Sequence, residues 1–366
     1  MTTTVQLRRR TLLSAASLMI AALALAPSDA PAADFSGGTV EWIIPFGEGG
    51  GSDVWARFLA PYLSKSLPGQ PTVVVRNQPG GGSTTGANMF AQRARPDGLT
   101  ILGTSGSTQF PYLLDDPRVQ YDYADWQVVL ASPTGGVAYV DAGLGVSSAA
   151  DLEKLKGIDL KYGSQGATSL DLVPLLAFEI AGLDVQAVMG MQGRGEGRLA
   201  FERGEANIDY QTSSAYLANV VPLVEEGKAV PLFSWGALDD EGNLVRDPTF
   251  PDLPHFAEAY EMAYGEPPSG PAFEAWKAFF AAGFPVQKMV FLPKDTPEDI
   301  VQAYREAFEK VVADPELQAK KEEVLGAYKQ ATGEAAVRQS QLATTADPEA
   351  KDWVLNWLQE EYDVRF

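Results

Sequence analysis

Three consecutive glycines, Gly49-Gly50-Gly51, stand between a short apolar run and the first amphipathic stretch of this chain. Trp42 to Ile44 reads as a buried strand. The stretch running to about Ser66, with Ser52 or Asp53 as its cap, reads as a helix. A strand and a helix joined by so tight a turn commit the chain to strand–helix alternation. Without Cβ atoms, the turn also lets backbone N–H groups approach a ligand closely. It lies at a helix N-terminus, where unpaired amides and the positive end of the peptide dipole favour an anion. The plain alternative is a loop that merely turns a corner, so the reading depends on whether the same grammar recurs.

It does recur. Thr72 to Arg76 is a β-branched strand closed by Asn77-Gln78-Pro79-Gly80-Gly81-Gly82-Ser83, with a helix expected from about Gly86 to Ala94. Leu99 to Gly103 is a third strand, and Ser105-Gly106-Ser107-Thr108 a small polar loop. This is the βαβ pattern of a parallel sheet, in which ligands lie outside the carboxyl ends of the strands. Gln127 to Ala131 and Val137 to Val140 are expected to include a crossing into a second domain. There Leu160 to Ser169, read as strand, small-residue turn and hydroxyl cap, and a helix from Leu170 to Ala181 repeat the opening. Val185 to Met189, a helix from about Glu196 to Arg203, Ile208 to Gln211, a helix from Tyr216 to Glu226 and Val230 to Trp235 follow. Residues 239–271 read as loop. Phe273 to Ala282, Lys288 to Leu292, Pro297 to Val312 (with Pro297 as the first helical residue), Pro315 to Gly326 and Pro348 to Tyr362 complete the series.

At 366 residues the chain exceeds what one core usually serves, so two domains are expected. Arg8-Arg9-Arg10, the apolar run Leu12 to Ala26, and Ala30-Pro31-Ala32 read as an export signal cleaved near Ala32 or Ala33, with some likeness to a twin-arginine signal. The apolar run is too short to span a membrane convincingly. There are no cysteines, which excludes disulfides, thiolate metal sites and cysteine nucleophiles. The single histidine, His255, reads as a solvated loop residue. A net charge of −20 argues against nucleic acid and anionic membrane surfaces. A small anion remains possible, because amides act within a few Å while distant carboxylates are screened.

With these segments placed, the chain resembles the substrate-binding proteins of tripartite tricarboxylate transporters, the Bug receptor family. The likeness rests on Ile43-Ile44-Pro45-Phe46 with Gly49-Gly50-Gly51-Ser52-Asp53 and Ala56-Arg57, then on Val73 to Gly80 and on Pro96-Asp97-Gly98-Leu99-Thr100. Gly163 to Thr168 and Pro251-Asp252-Leu253-Pro254 with Glu258-Ala259 follow in the family's order. The chain departs from the pattern at Val188 to Gly193, at Asn207 and Gln211 (where relatives tend to carry aspartates), and in the long segment Tyr260 to Gln287.

The resemblance implies a two-domain α/β fold of the periplasmic-binding-protein, or flytrap, type. Each domain is a mostly parallel sheet flanked by helices, with two crossing strands at the hinge. Residues 33–135 with 236–366 form the first domain, and 136–235 the second. It implies a ligand carboxylate held largely by backbone amides of two facing loops. Those loops are Phe46, Gly47, Glu48, Gly49, Gly50, Gly51, Ser52 and Asp53, and Ser164, Gln165, Gly166, Ala167, Thr168 and Ser169. Ser105, Arg194 and Gln211 complete the expected ligand-binding set. Ser52, Thr168 and Ser169 could cap helices only, or cap and also touch ligand. Asp53 would either accept N–H bonds and orient the loop, or bind an amino group or water. Arg194 and Arg198 would pair with a second carboxylate or stay solvated. The expected protein is a monomeric, non-enzymatic periplasmic receptor without cofactor or metal, with a small organic carboxylate and a membrane permease as partners, and with neither nucleic-acid binding nor direct membrane insertion after cleavage. An exported α/β enzyme for phosphorylated or acyl substrates, and a receptor used mainly for signalling, are the alternatives.

Overall fold

The computed structural model describes residues 33–239 and 241–365, and the chain from Asp34 onward forms one compact unit. The expected export segment lies outside the described residues. No described helix is long and apolar enough to cross a membrane.

In chain order the elements are β1 (Thr39–Ile44), α1 (Gly51–Ser66), β2 (Thr72–Asn77), α2 (Thr84–Arg93), β3 (Thr100–Gly103), α3 (Gly106–Leu113), β4 (Gln127–Ser132) and β5 (Gly136–Asp141). Then come β6 (Leu160–Ser164), α4 (Leu172–Ile180), β7 (Val185–Met189), α5 (Arg194–Glu202), β8 (Ile208–Thr212) and β9 (Ala229–Ser234). A short ribbon of β10 (Ala237–Leu238) and β11 (Leu244–Val245) precedes α6 (Phe256–Tyr264), α7 (Pro271–Gly283) and β12 (Lys288–Leu292). Helices α8 (Glu298–Ala313), α9 (Pro315–Leu325), α10 (Gly333–Leu342) and α11 (Pro348–Tyr362) close the chain.

The first lobe is built on a five-stranded sheet in the order β2-β1-β3-β12-β4. Strands β2, β1 and β3 pair in parallel, and β12 runs against both β3 and β4. The second lobe holds β8-β5-β9, with β5 reversed against both neighbours, and a parallel β6–β7 pair. Each lobe therefore departs from a purely parallel sheet at one strand. The chain crosses between β4 and β5 at Pro133-Thr134-Gly135, and β5 enters the second sheet opposed to it. After the second lobe, β12 enters the first sheet in the same opposed sense. This reversal places the first residue of β12, Lys288, opposite Ser132 at the end of β4. Lys288 thereby reaches the edge where the loops gather.

Helices missed in the sequence have local causes. Helix α3 starts inside a Ser-Gly-Ser-Thr run and contains Pro111, so it reads as loop, although Ser105 and Thr108 form a capping box around its first turn. Helix α6 lies within the expected loop. Its cap is His255, whose Nδ1 accepts from Glu258 N at 3.2 Å while Glu258 accepts from His255 N at 3.0 Å. His255 is thus a largely buried cap rather than a solvated loop residue. Pro297 is the N-cap of α8 and not its first helical residue, so the helix begins one position later than expected, at Glu298. The expected helix at Tyr216 to Glu226 is broken by a π-turn over Tyr216–Val220.

Trp42, Trp55 and Trp235 are core, as expected. The core also draws on residues from both expected domains. Phe256, Trp276, Phe280 and Trp357 pack in one cluster with Leu160, Leu172 and Leu176 of the second lobe and with Phe110 of α3. Helix α7 packs on α4, α11 and α3. Residues 236–366 are therefore shared between the lobes: β12 completes the first sheet, whereas α6, α7 and α11 clothe the second lobe. Among the described residues their aromatic side chains cluster with the second lobe and α3, and burying them on α4 removes that apolar surface from water.

Candidate ligand-binding site

In parallel strands the carboxyl ends share one edge, and here Ile44, Asn77 and Gly103 deliver three turns to it. Helix α1 starts at Gly51. Its cap, Gly50, is extended (φ −83°, ψ 168°) and offers no side-chain hydrogen bond, so the cap is Gly50 and not Ser52 or Asp53. The first-turn N–H groups of Gly51, Ser52 and Asp53 have no intrahelical acceptor, as at any helix start. Asp53 takes the loop-orienting task. Its carboxylate accepts from Gly49 N at 3.0 Å, Arg57 Nε at 2.9 Å and Asn77 Nδ2 at 3.0 Å. Asn77 Nδ2 also donates to Phe46 O at 3.0 Å, which ties the turn to β2. Gly47 N donates across the cleft to Gln192 O at 2.7 Å. The Glu48 side chain is 79% exposed, near Arg57.

The second loop is organised around a buried carboxylate. Asp171 Oδ2 accepts from Gln165 N at 2.7 Å and Ser164 Oγ at 3.0 Å, and Asp171 Oδ1 from the Tyr210 hydroxyl at 3.2 Å. Gly166 N donates to Ser164 Oγ at 3.1 Å. Ser169 Oγ donates to Gly166 O at 2.7 Å and accepts from Asp171 N at 3.1 Å. Helix α4 is capped at Asp171 without a side-chain bond, so Thr168 and Ser169 do not cap it. Thr168 instead joins the lobes, donating to Asp116 Oδ2 at 3.1 Å and accepting from Arg118 Nη2 at 2.8 Å. Burial pushes the Asp116 carboxyl up, but the Arg118 hydrogen bonds and charge outweigh it and hold the group below 3.8. Ala167 is buried beside it.

Arg194 is not solvated. It is 6% exposed, lies between the Tyr162 and Tyr210 rings at 4.8 and 4.7 Å, and pairs with Asp209 and with Asp171 at 3.3 Å. Its Nη1 donates to Gly163 O at 2.5 Å and its Nη2 to Tyr210 O at 3.2 Å. Burial alone would lower its pKa; the surrounding phenols and Asp171 more than offset this, so it stays charged. The carboxylates it meets are the protein's own. Arg198 lies in α5 and pairs with Glu202, so it is not a solvated loop residue either. Gln211 is fully buried and donates to Arg194 O at 2.8 Å and Asp209 Oδ2 at 2.9 Å, locking the same network.

Between the loops lies a cavity of about 20 Å³. Of the expected residues, Phe46, Gly50, Gly51, Ser52, Ser105, Gln165 and Arg194 line it. Gly47, Glu48, Gly49, Asp53, Ser164, Gly166, Ala167, Thr168, Ser169 and Gln211 build or brace the walls without lining it. Ser107, Leu170, Thr212 and Gln287 line it and were not anticipated. Thr212 closes β8, so the strand-end rule could have found it. Gln287 could not be found that way, because only the reversal of β12 brings its beginning to this edge. Two polar atoms at the cavity, Gln165 Nε2 and Thr212 Oγ1, are buried without a hydrogen-bond partner among the described residues. Larger grooves of about 620 and 1040 Å³ lie beside Pro133, Phe284 and Tyr328 and beside α7 and α11. They are away from the gathered loops.

The lobes meet closely over this cavity. Leu170 N donates to Ser107 Oγ at 3.1 Å, and a Cβ added to Gly51 would collide with Thr212 Oγ1. A Cβ on Gly195 would lie 2.5 Å from Glu48 O and 2.9 Å from Gly50 N, so glycine is needed on both sides of the seam. A pocket for an organic ligand is roughly 300–1,000 Å³. Entry of such a ligand therefore requires the lobes to part.

Two α/β lobes, chain crossings between them, and loop-lined surfaces meeting at the strand ends define a solute-binding receptor of the flytrap class. The chain belongs to the tripartite tricarboxylate transporter family receptors (TctC), whose profile matches residues 55–333. It is 28% identical over 289 residues to the "UPF0065 protein in tcbD-tcbE intergenic region" of a Pseudomonas species, covering 76% of this chain and 75% of that one. Its fold is similar to that of the periplasmic binding protein BugD (TM-score 0.65, 21% identity, 88% of this chain and 97% of that one). It is likewise similar to MatC of Rhodopseudomonas palustris, solved with bound malate (TM-score 0.63, 21% identity, 86% and 97% coverage).

Proposed function

We propose that this receptor works in the periplasm as a monomer, captures a small organic carboxylate between its lobes, and delivers it chemically unchanged to the permease of its transporter. The observation that carries this reading is the bare first turn of α1 at the cavity, with glycines at its cap and first position. Aligned, unpaired N–H groups there attract an anion without a charged side chain. Ser105, Gln165 and Thr212 are the side chains proposed to read the rest of the ligand. The malate carried by a relative of the same fold supports a dicarboxylate. Closure follows from bridging: a ligand touching both lobes stabilises the joined state by its differential affinity for that state.

The test is thermal melting and calorimetry of the exported protein with malate, succinate, glutarate and adipate, followed by mass spectrometry of the recovered ligand. The expected outcome is a saturable rise in Tm with at least one of them and an unaltered ligand mass. No shift and no heat with any of the four would overturn the proposal.

A further inference from the structure

Gln287 and Lys288 reach the cleft together, because β12 runs against β3 and β4. Gln287 lines the cavity, while Lys288 is 1% exposed and lies just behind it. A Cβ on Gly51 would point at Thr212 Oγ1 and lie 3.6 Å from Lys288 Nζ. The ammonium therefore stands directly behind the seam that joins the first turn of α1 to Thr212. Its hydrogen-bond partner among the described residues is Gln287 Oε1 at 2.6 Å, one acceptor for a group with three donors.

Around it the packed elements bring Trp55, Ser132, Thr134, Ser214, Leu325 and Gln330, none of them charged. The carboxylates of neighbouring elements are engaged elsewhere, Asp53 by Arg57 and Asn77 and Asp247 by the Tyr328 hydroxyl at 2.6 Å. Burial without a counter-ion pushes the Lys288 amine down to about 7. A buried amine without a carboxylate is a poor packing choice, since an apolar side chain of like volume would serve better there.

We propose that Lys288 is the cationic anchor of the ligand site: once Thr212 draws back from Gly51, a carboxylate seated on the first turn of α1 also meets the Lys288 ammonium. This inference rests on the carboxylate reading above. Lys288 thereby determines specificity by favouring a fully charged carboxylate over a neutral isostere such as an amide. Because the amine is largely neutral above its lowered pKa, anion binding draws a proton onto it.

The experiment is calorimetry at about pH 8 in two buffers of different ionisation enthalpy, where each of the four dicarboxylates is fully ionised. Malate, succinate, glutarate and adipate are tested on wild type and on Lys288→Met. Wild type is expected to take up about one proton per ligand bound. The variant is expected to take up none and to bind roughly tenfold or more weakly. Wild type that binds without proton uptake overturns the Lys288 proposal and leaves the carboxylate reading standing. So does a folded variant of unchanged affinity. Wild type that binds none of the four overturns both. If the variant does not fold, the wild-type proton count decides.

Discussion

The two loops that face each other across the cleft share a grammar of strand, small-residue turn and helix, yet use their amides in opposite ways. In the first, Asp53 gathers a single loop amide, Gly49, and the first turn of α1 is left without side-chain capping. In the second, Asp171 takes Gln165 N and Ser164 Oγ, and Ser164 in turn takes Gly166 N. The first loop has the first-turn amides of α1 to offer an anion; in the second, Gln165 N is taken by Asp171, Gly166 N by the Ser164 hydroxyl and Ser169 N by Gly166 O. The difference teaches that a glycine-rich turn keeps amides free for an anion only where no internal acceptor reaches them. The pairing of two amide-lined loops implied by the family resemblance is therefore lopsided in this chain, with side chains such as Gln165 and Thr212 facing the first-lobe helix.

The largest expected effect that would break this contrast is Asp171→Asn. It removes the charge that Arg194, Gln165 N and Ser164 share, and should cost about 3–5 kcal/mol, the usual loss when a buried ion pair is broken. Chemical denaturation measures it; a loss below that of a surface residue would mean the second loop is not held by Asp171. Next comes Gly195→Ala, whose methyl group would press on the backbone of Glu48 and Gly50. Alanine suits a helix, so the fold should hold while ligand binding weakens roughly a hundredfold by blocking closure. Calorimetry with small-angle scattering would distinguish a held-open receptor from a misfolded one.

Asp53→Asn sharpens the comparison from the other side. Its carboxylate is neutralised by half-exposed Arg57 and holds one loop amide, so the expected cost is about 1 kcal/mol in the same denaturation assay, well below that of Asp171→Asn. The smallest effect concerns the clasp of Asp116, Arg118 and Thr168. Because the folded Asp116 pKa is depressed below 3.8, its contribution is complete above that pH and fades as pH falls through the depressed value. The Tm difference between wild type and Asp116→Asn should be flat above about pH 4 and shrink below it. A difference that grows on acidification would reverse the assignment.

Much of the fold was legible. Val185–Met189, Lys288–Leu292 and Pro348–Tyr362 fall at their expected bounds, because each is a short apolar or amphipathic run fenced by turn residues. Helices α3, α6 and α10 were not. Pro111, a Pro-rich approach and a polar sequence hide their periodicity, and packing on neighbouring elements stabilises them instead. At the site, the glycine turn was visible as an anion-binding candidate. Arg194 was expected to pair with a ligand carboxylate or to stay solvated, because nothing local in Gly-Arg-Gly-Glu-Gly announces that two carboxylates and two tyrosine rings from other elements will enclose it.

By itself, then, the sequence determined the alternation of strands and helices, the first-lobe turn with its unpaired amides, and the family. These rest on local backbone rules and on residue order, which need no knowledge of what lies across the cleft. Only the tertiary structure decided that β5 and β12 run backwards, that the late helices clothe the second lobe, and that Gln287 and Lys288 stand at the cleft. Strand direction within a sheet is set by where the intervening chain can bury its apolar faces, and no run of residues carries that information alone.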